Sequence, residues 1–464
     1  MRSLTIDTLT KVLEAEVISH GAKSEVTVTG VGIDSRTIHQ GDCFFAVKGE
    51  NFDGHDYVEQ VFETGAACTV VQKAIQTKAS DVILRVDDTV KALGELAKWY
   101  RSEMPFKIVA ITGSAGKTTT REMAYHVLSR RFSCTRAPKS FNNVIGLPLT
   151  LLSADRQHEI VIVEIGSNAP GEVSWLASIA VPDMAVVTNI YPAHLEGFGN
   201  VEAIIKEKAS IVEGLKAEGK LLINGDFEQL VRHCSTIKKD FITFGQGTDC
   251  DIRGRNLVSK GLNGELTIDQ TKISVPLAGR ANLSNALAAW AICKQFGISA
   301  EEFAGAISTF EAIDMRLQIQ KRGPITVIND CYNANPASMA NALDCLAQIG
   351  ESCGDRKVFI CGTMAELGAQ SENLHHQLGK LTAKSGVKIL LAAGDFAETV
   401  AEAARTSARD EKFEAFVFKN TDQLCNNVAK FVRPDDIVLV KGSRSAKLEK
   451  AVKKLKFNSI GRLT

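Results

Sequence analysis

Gly113-Ser114-Ala115-Gly116-Lys117-Thr118 is the segment most able to do chemistry. Glycines there let backbone N–H groups approach a phosphate closely, the lysine can neutralise β- and γ-phosphates, and the threonine hydroxyl can ligate Mg²⁺. The segment follows an apolar run, KIVAIT (107–112), and opens a helical pattern, TTREMAYHVLSRRF, so a helix N-terminus adds positive potential. Position 111 is Ile, which makes the loop one turn shorter than the eight-residue Walker pattern. The alternative is an ordinary strand-to-helix turn, which the order strand, GKT, helix disfavours.

A Mg²⁺ ion on ATP phosphates takes few ligands from protein. Glu164 ends the run IVIVEI, and a carboxylate at a strand's C-terminal end sits where open α/β sheets bind ligands. Asn189 and His194 follow another strand end, in TNIYPAHLEGFG, where a histidine is as readily structural as ligating. Lys206 and Lys208 lie in EAIIKEKASIVEGL and read, on spacing alone, as surface charges. Asn282 enters a helical stretch with a second Asn three residues on; its amide can read an adenine edge or simply cap the helix. Asp330-Cys331-Tyr332-Asn333-Ala334-Asn335-Pro336 is either a site at a strand end or a plain turn. Lys441 and Arg444 can hold a carboxylate or phosphate, or be solvated.

Positioning these residues takes more than one core. A chain of 464 residues suggests about three domains. The strand-like runs CFFAV (43–47) and CTVVQ (68–72), with a helix over 90–104, make a first unit at 1–104 that Met104-Pro105 ends. A second unit, 105–314, strings KIVAIT, IVIVEI, MAVVTN (184–189) and KLLIN (220–224) between helices, which argues for a mostly parallel sheet. Residues 250–278 read as short antiparallel strands with a hairpin turn at LNGE, and 283–310 as mostly helical. The third unit, 315–464, carries TVIND, KVFICG, KILLAAG, FEAFVF and DIVLVKG, a second doubly wound, Rossmann-like layer. The expected class is α/β: a central P-loop mononucleotide-binding parallel sheet, an N-terminal α/β unit and a C-terminal Rossmann-like unit. Lys plus Arg and Asp plus Glu both number 54, so no overall basic field points to nucleic acid or an anionic membrane. Eleven scattered cysteines without a CxxC pair fit reduced thiols. The N-terminus lacks the apolar core of a signal peptide, and no run approaches the ~18 apolar residues of a membrane span. A cytoplasmic protein without membrane insertion is expected, acting as a monomer.

Taken together, the residues resemble the Mur ligases, the ATP-dependent amide ligases of peptidoglycan precursor synthesis, over essentially the whole chain. DSR (34–36), GDCFFAVKGENFDGH (41–55) and GAACTVV (65–71) look like the family's uridine-nucleotide domain. GSAGKTTT, SFNNVIGLPLTLL (140–152), VEIGSNAPGE (163–172) and TNIYPAHLEGFG look like its ATP domain. DCYNANPASM (330–339), CGTMAELG (361–368) with His375, and VLVKGSRS (438–445) look like its C-terminal domain. The phosphate loop is shared with folylpolyglutamate synthetases, whereas YNANP and MAELG resemble the branch that adds D-alanyl-D-alanine to UDP-N-acetylmuramoyl-tripeptide.

The resemblance implies ATP contacts from Gly113 through Thr119, Asn282, Arg316 and Tyr332. It implies Mg²⁺ at two sites, with Thr118, Glu164, His194 and Lys208 as ligands, Lys208 after carbamylation by CO₂. Lys117, His194, Lys208, Arg316 and Asp330 are the implied catalytic set. Ser35, Arg36, Phe45, Lys48, Gly49, Asn142 and Asn143 are implied substrate contacts, with Asn333 and Asn335 at the dipeptide. Three positions depart from the family's usual pattern: Ala281 stands where His is common, Met315 where Gly is common, and Ser210 where an acid is common. Phosphorylation turns an unreactive carboxylate into an acyl phosphate that an amine can attack, so the work is positioning and charge neutralisation. Rival readings are a related amide ligase with another acceptor, a nucleotide-binding regulator on the same scaffold, or a P-loop ATPase.

Overall fold

A computed structural model describes residues 1–20, 26–75, 81–138, 140–238, 240–353 and 356–456. Three large sheets organise these residues, beside a two-stranded pair of Leu4–Thr5 with Thr27–Val28. The first has five strands in the order Glu16–His20, Val82–Arg85, Cys68–Val71, Asp42–Phe45, Gly30–Gly32, parallel except for Glu16–His20. The second has nine. Ile252–Lys260, Ile242–Gly245, Lys220–Asn224, Met184–Val187, Lys107–Thr112, Ile160–Glu164 and Cys134–Arg136 run parallel. Asn263–Ile268 and Thr271–Val275 add an antiparallel ribbon. The third sheet has the order Gln318–Arg322, Ile325–Asn329, Ile437–Lys441, Lys357–Gly362, Ile389–Ala393, Glu414–Phe418, antiparallel only at its first pair.

The continuous apolar runs became buried parallel strands, as a sheet covered on both faces requires. KIVAIT, KLLIN and KVFICG are strands over their full length. The antiparallel ribbon differs from expectation in its turn. Lys260 pairs with Asn263, so the two-residue loop is Gly261-Leu262, with φ +56° at Gly261, and Asn263-Gly264 already belongs to the strand. The stretch 283–310, expected to be mostly helical, holds the end of helix Arg280–Gln295 and helix Ala300–Ile307.

Lys107–Thr112 lies between Ile160–Glu164 on one side and Met184–Val187 on the other. The chain therefore leaves this strand in one direction and later returns on its opposite flank. Such a switch point opens a crevice at the carboxyl ends of the strands. The second unit is fixed to the first. Helix Thr89–Ser102 packs on helices Gly146–Ser153 and Glu172–Ala180. The buried Arg101 guanidinium reaches Asp183 at 2.8 Å, and the Tyr100 hydroxyl donates to Ala154 O at 2.8 Å. Asp183, which is partly buried, also accepts from Ile108 N and Lys216 Nζ, so the carboxylate beside Arg101 has several partners.

Candidate active site

A cleft of about 530 Å³ opens where loops from the second and third sheets meet. Gly113 leaves its strand with φ +139°; a Cβ there would lie 2.2 Å from Thr188 Oγ1. Gly116 has φ +79°, and its Cβ would lie 2.1 Å from Asn285 Oδ1. Both positions need glycine for conformation and for space. Asn189 braces the loop: Oδ1 accepts from Ala115 N at 2.8 Å and Nδ2 donates to Ala115 O at 3.0 Å. Ser114 is tied to Tyr191 through both its hydroxyl bonds, and Thr188 Oγ1 donates to Ala115 O. The first helical amide bonded back along the chain is Thr120 N, on Gly116 O, which leaves the first turn's amides for an anion. Lys117 Nζ donates to Gly113 O at 2.7 Å. Burial lowers its pKa to about 8, with Glu164 opposing and Arg316 adding to the fall.

Glu164 is fully buried beneath this loop. One oxygen accepts from Thr118 Oγ1 at 3.2 Å and the other faces Arg121 Nη1 at 2.7 Å. Arg121 is itself buried and also grips Glu122, whose second oxygen holds Arg136 at 2.7 Å. This ladder fixes the Glu164 carboxylate from behind. Asn142 closes the front, with Nδ2 3.5 Å from Glu164 and its carbonyl accepting from Gly166 N. Lys208 has 2% exposure, and Nζ donates to Ser167 Oγ at 2.6 Å. Burial first, then the positive Lys117, lowers its pKa to about 7. The surface reading of Lys208 is therefore corrected, whereas Lys206 is exposed and pairs with Glu202. The adjacent Glu207 explains why the helix is held so deep: its carboxylate accepts from Gly171 N and Val173 N and caps helix Glu172–Ala180 from outside.

The third unit supplies the opposite wall. The Arg316 guanidinium stacks on Tyr332 at 4.2 Å, and Tyr332 N donates to Met315 O. Met315 and Leu317, flanking Arg316, have φ +57° and +50°. Met315 thus holds the conformation that glycine adopts freely, and Leu317 N is pinned by Asp330 Oδ1 at 3.0 Å. Buried Lys441 spends its charge inside the protein, on Asp330 Oδ2 at 2.5 Å and Asn333 O at 3.0 Å. Asn335 Oδ1 accepts from Ser338 N at the start of helix Pro336–Cys353, and Asn333 Oδ1 from Ala334 N. Both line the cleft while serving these turns. Glu366, from the MAELG stretch, contacts His194 Nδ1, and that bond holds the Glu366 carboxyl below the usual range.

Of the expected residues, Ser114 to Thr119, Asn142, Asn143, Glu164, His194, Asn282, Arg316, Asp330, Tyr332, Asn333 and Asn335 line this one cleft. Asn282 is not a helix cap: the helix begins after Gly279, and Asn282 Nδ2 donates to Ala278 O. Asn143 is exposed, and its Oδ1 accepts from Gly146 N at 2.9 Å where helix Gly146–Ser153 begins. Ser35, Arg36, Lys48 and Gly49 lie away in the first unit, Arg36 paired with Asp34 and Gly49 N bonded to Phe52 O. Phe45 is corrected: its side chain has 0% exposure in the hydrophobic core, where no substrate reaches it. Arg121 and Glu366 were not foreseen. A helix-face arginine and a loop glutamate have no period that marks them.

The donors fit Mg²⁺ on a nucleotide. Thr118 and Glu164 offer two oxygens beside the phosphate loop, with phosphate oxygens left to complete the shell. Among the described residues, no group of three His, Cys, Asp or Glu side chains gathers to hold a metal alone. His194 has a ring nitrogen to offer, but Lys208 as an ammonium would repel a cation and as an amine offers no oxygen, so it fits a second Mg²⁺ only once converted to an anionic oxygen ligand.

Comparison with known proteins agrees with this geometry. The Mur ligase family, catalytic domain model matches residues 27–101, the Mur ligase middle domain 111–293, and the Mur ligase, glutamate ligase domain 315–444. The UDP-N-acetylmuramoyl-tripeptide–D-alanyl-D-alanine ligase of Bacillus subtilis (strain 168) is 34% identical, covering 93% of this chain and 94% of its own. A crystal structure of MurF from Acinetobacter baumannii superposes with TM-score 0.88 at 28% identity, covering 98% of each chain. MurF ligase from Thermotoga maritima in complex with ADP gives 0.78 at 26% identity, over 91% of this chain and 96% of that one. Matched along its length by all three family models, and by a full-length relative above 30% identity, the chain belongs to the Mur ligase family.

Proposed function

We propose that this protein is an ATP-dependent ligase that joins D-alanyl-D-alanine to UDP-N-acetylmuramoyl-tripeptide, giving the pentapeptide precursor of peptidoglycan. The observation that carries the reading is the convergence, in one cleft, of Lys117, the buried Glu164–Thr118 pair and Arg316 of the third unit. A phosphoryl group undergoing transfer is stabilised by fixed charges and donors gathered in this way. The substrates follow from the relatives' names and from the YNANP and MAELG stretches. The first unit, to residue 104, holds the uridine nucleotide; the second, to 314, holds ATP; the third receives the dipeptide.

The substrate carboxylate oxygen attacks the γ-phosphorus and ADP leaves. The dipeptide amine, having lost its ammonium proton, then attacks the acyl carbon, and phosphate departs with the C–O bonding electrons. Lys117 and the first-turn amides hold the phosphates. Arg316, stacked on Tyr332, meets the charge that develops on the transferred group. Asp330 tethers Leu317 and so fixes Arg316 in the cleft. Asn282, which lines the cleft, reads the adenine edge in this proposal. Thr118 and Glu164 would hold one Mg²⁺, and His194 with carbamylated Lys208 would hold a second; the chemistry such ions would supply is neutralisation of charge on the phosphates and the substrate carboxylate. Lys208 suits carbamylation because burial keeps much of its amine neutral near pH 7 and able to add CO₂. The chain works as a monomer in the cytoplasm; no helix among the described residues is long and apolar enough to cross a membrane.

Phosphate release from ATP, measured with the UDP-tripeptide and with or without D-alanyl-D-alanine, tests the reading. Release that requires both, with a pentapeptide product by mass, is expected. Release without the dipeptide and without a new amide would overturn it.

A further inference from the structure

His194 and Glu366 face each other across the junction of the second and third units. His194 has φ +51° and Glu366 φ +62°, so two non-glycine residues hold left-handed backbone at one contact. Such strain persists only where the surroundings over-determine it, and it gathers at functional sites. The contact is double. The Glu366 carboxylate meets His194 Nδ1, and Glu196 N donates to Glu366 O at 3.1 Å. Gly368, with φ +54°, lets the two backbones close; a Cβ there would lie 3.2 Å from Glu196 Cα.

We infer that Glu366 is the positioning residue for His194: it binds Nδ1, fixes the ring's orientation and tautomer, and turns Nε2 toward the cleft as a ligand. A carboxylate behind a ligating histidine sets ring direction and raises ligand basicity. Here that carboxylate arrives on a different unit from the histidine. The second metal position is therefore completed by docking of the third unit, and undocking releases it. The MAELG stretch is a coupling element that ties metal affinity to closure. The inference rests on the ligase reading only through His194 as a metal ligand.

Mn²⁺ binding, followed by the electron paramagnetic resonance of the free ion, tests it in the full-length chain with a non-hydrolysable ATP analogue and the UDP-tripeptide. The wild type should take two Mn²⁺. Glu366→Gln should keep one at wild-type affinity and bind the other about 10–100-fold more weakly. Gly368→Val, which touches neither the histidine nor the ion, should weaken the same site by pushing the loop from Glu196. Thermal melting confirms that both variants are folded. Two Mn²⁺ bound at wild-type affinity by both folded variants would overturn the inference. A wild type that takes only one Mn²⁺ also overturns it, while dipeptide-dependent phosphate release by the same preparation reports separately on the ligase reading.

Discussion

Replacing Lys441 with Met tests how the third unit holds its half of the cleft. Lys441 is 2% exposed and donates to Asp330 Oδ2 at 2.5 Å and Asn333 O at 3.0 Å, with Asp330 O farther off at 3.4 Å. Met fills similar space, so little packing is lost, but a carboxylate and a carbonyl are left without their cation. Removing one partner of a buried pair costs about 3–5 kcal/mol, because the other charge stays uncompensated. The Asp330 side chain is 13% exposed and keeps its bond from Leu317 N, which places the cost at the low end, about 3 kcal/mol. For a unit of roughly 150 residues, that lowers the melting transition by about 6–12 °C. Scanning calorimetry of the full chain measures it. Adding Asp330→Asn removes the stranded charge and should recover about 1–2 kcal/mol. The single variant should also raise the KM for ATP, since Asp330 anchors the segment that carries Arg316. A Lys441→Met transition within about 3 °C of wild type would refute this account of the pair.

Lys208→Ala should lower product formation at least about 100-fold, from the loss of a metal ligand worth several kcal/mol. CO₂ adds only to the neutral amine, so wild-type activity should fall as pH drops below the Lys208 value of about 7 and recover in part with added bicarbonate, read by phosphate release. His375 accepts from Met364 N at 2.9 Å and stacks on Phe396, and burial lowers its pKa. The unfolded chain then takes up the proton first, so stability is full above the ordinary histidine value of 6.5 and declines below it. The slope is at most about 1.4 kcal/mol per pH unit, and His375→Gln should flatten it in melting experiments. Phe45→Ala should destabilise the first unit by about 3–5 kcal/mol. Phe45→Leu, still folded, should bind the UDP-tripeptide within about twofold of wild type by calorimetry; a tenfold loss without a melting change would return Phe45 to the substrate site.

The scaffold was legible where burial on both faces writes continuous apolar runs, as in KIVAIT and KVFICG. Loop chemistry was legible where a residue type is forced, as at Gly113 and Gly116. Depth in the third dimension was not. Lys206 and Lys208 stand two apart on one helix, yet one is solvated and the other buried against Ser167, on the helix face that holds Ile204 and Ile205 and that Glu207 anchors by capping a second helix. Arg121 follows Lys117 by one turn and looks like a helix-surface charge until the neighbouring strand brings Glu164 to it. The bond between His194 and Glu366 spans 172 positions, and no local pattern encodes it. Met315 was visible as a departure from glycine, but its left-handed backbone was not.

The ion pair of Arg101 with Asp183 ties the first two units together. If one unit grips the nucleotide handle of a long substrate and the other holds the γ-phosphate, the join fixes the span between them. The enzyme then measures as well as binds. A peptide stem that is too short leaves its carboxylate short of the phosphorus however well its handle is held. Selectivity for stem length needs no pocket around the stem; it is set by the reach of the frame.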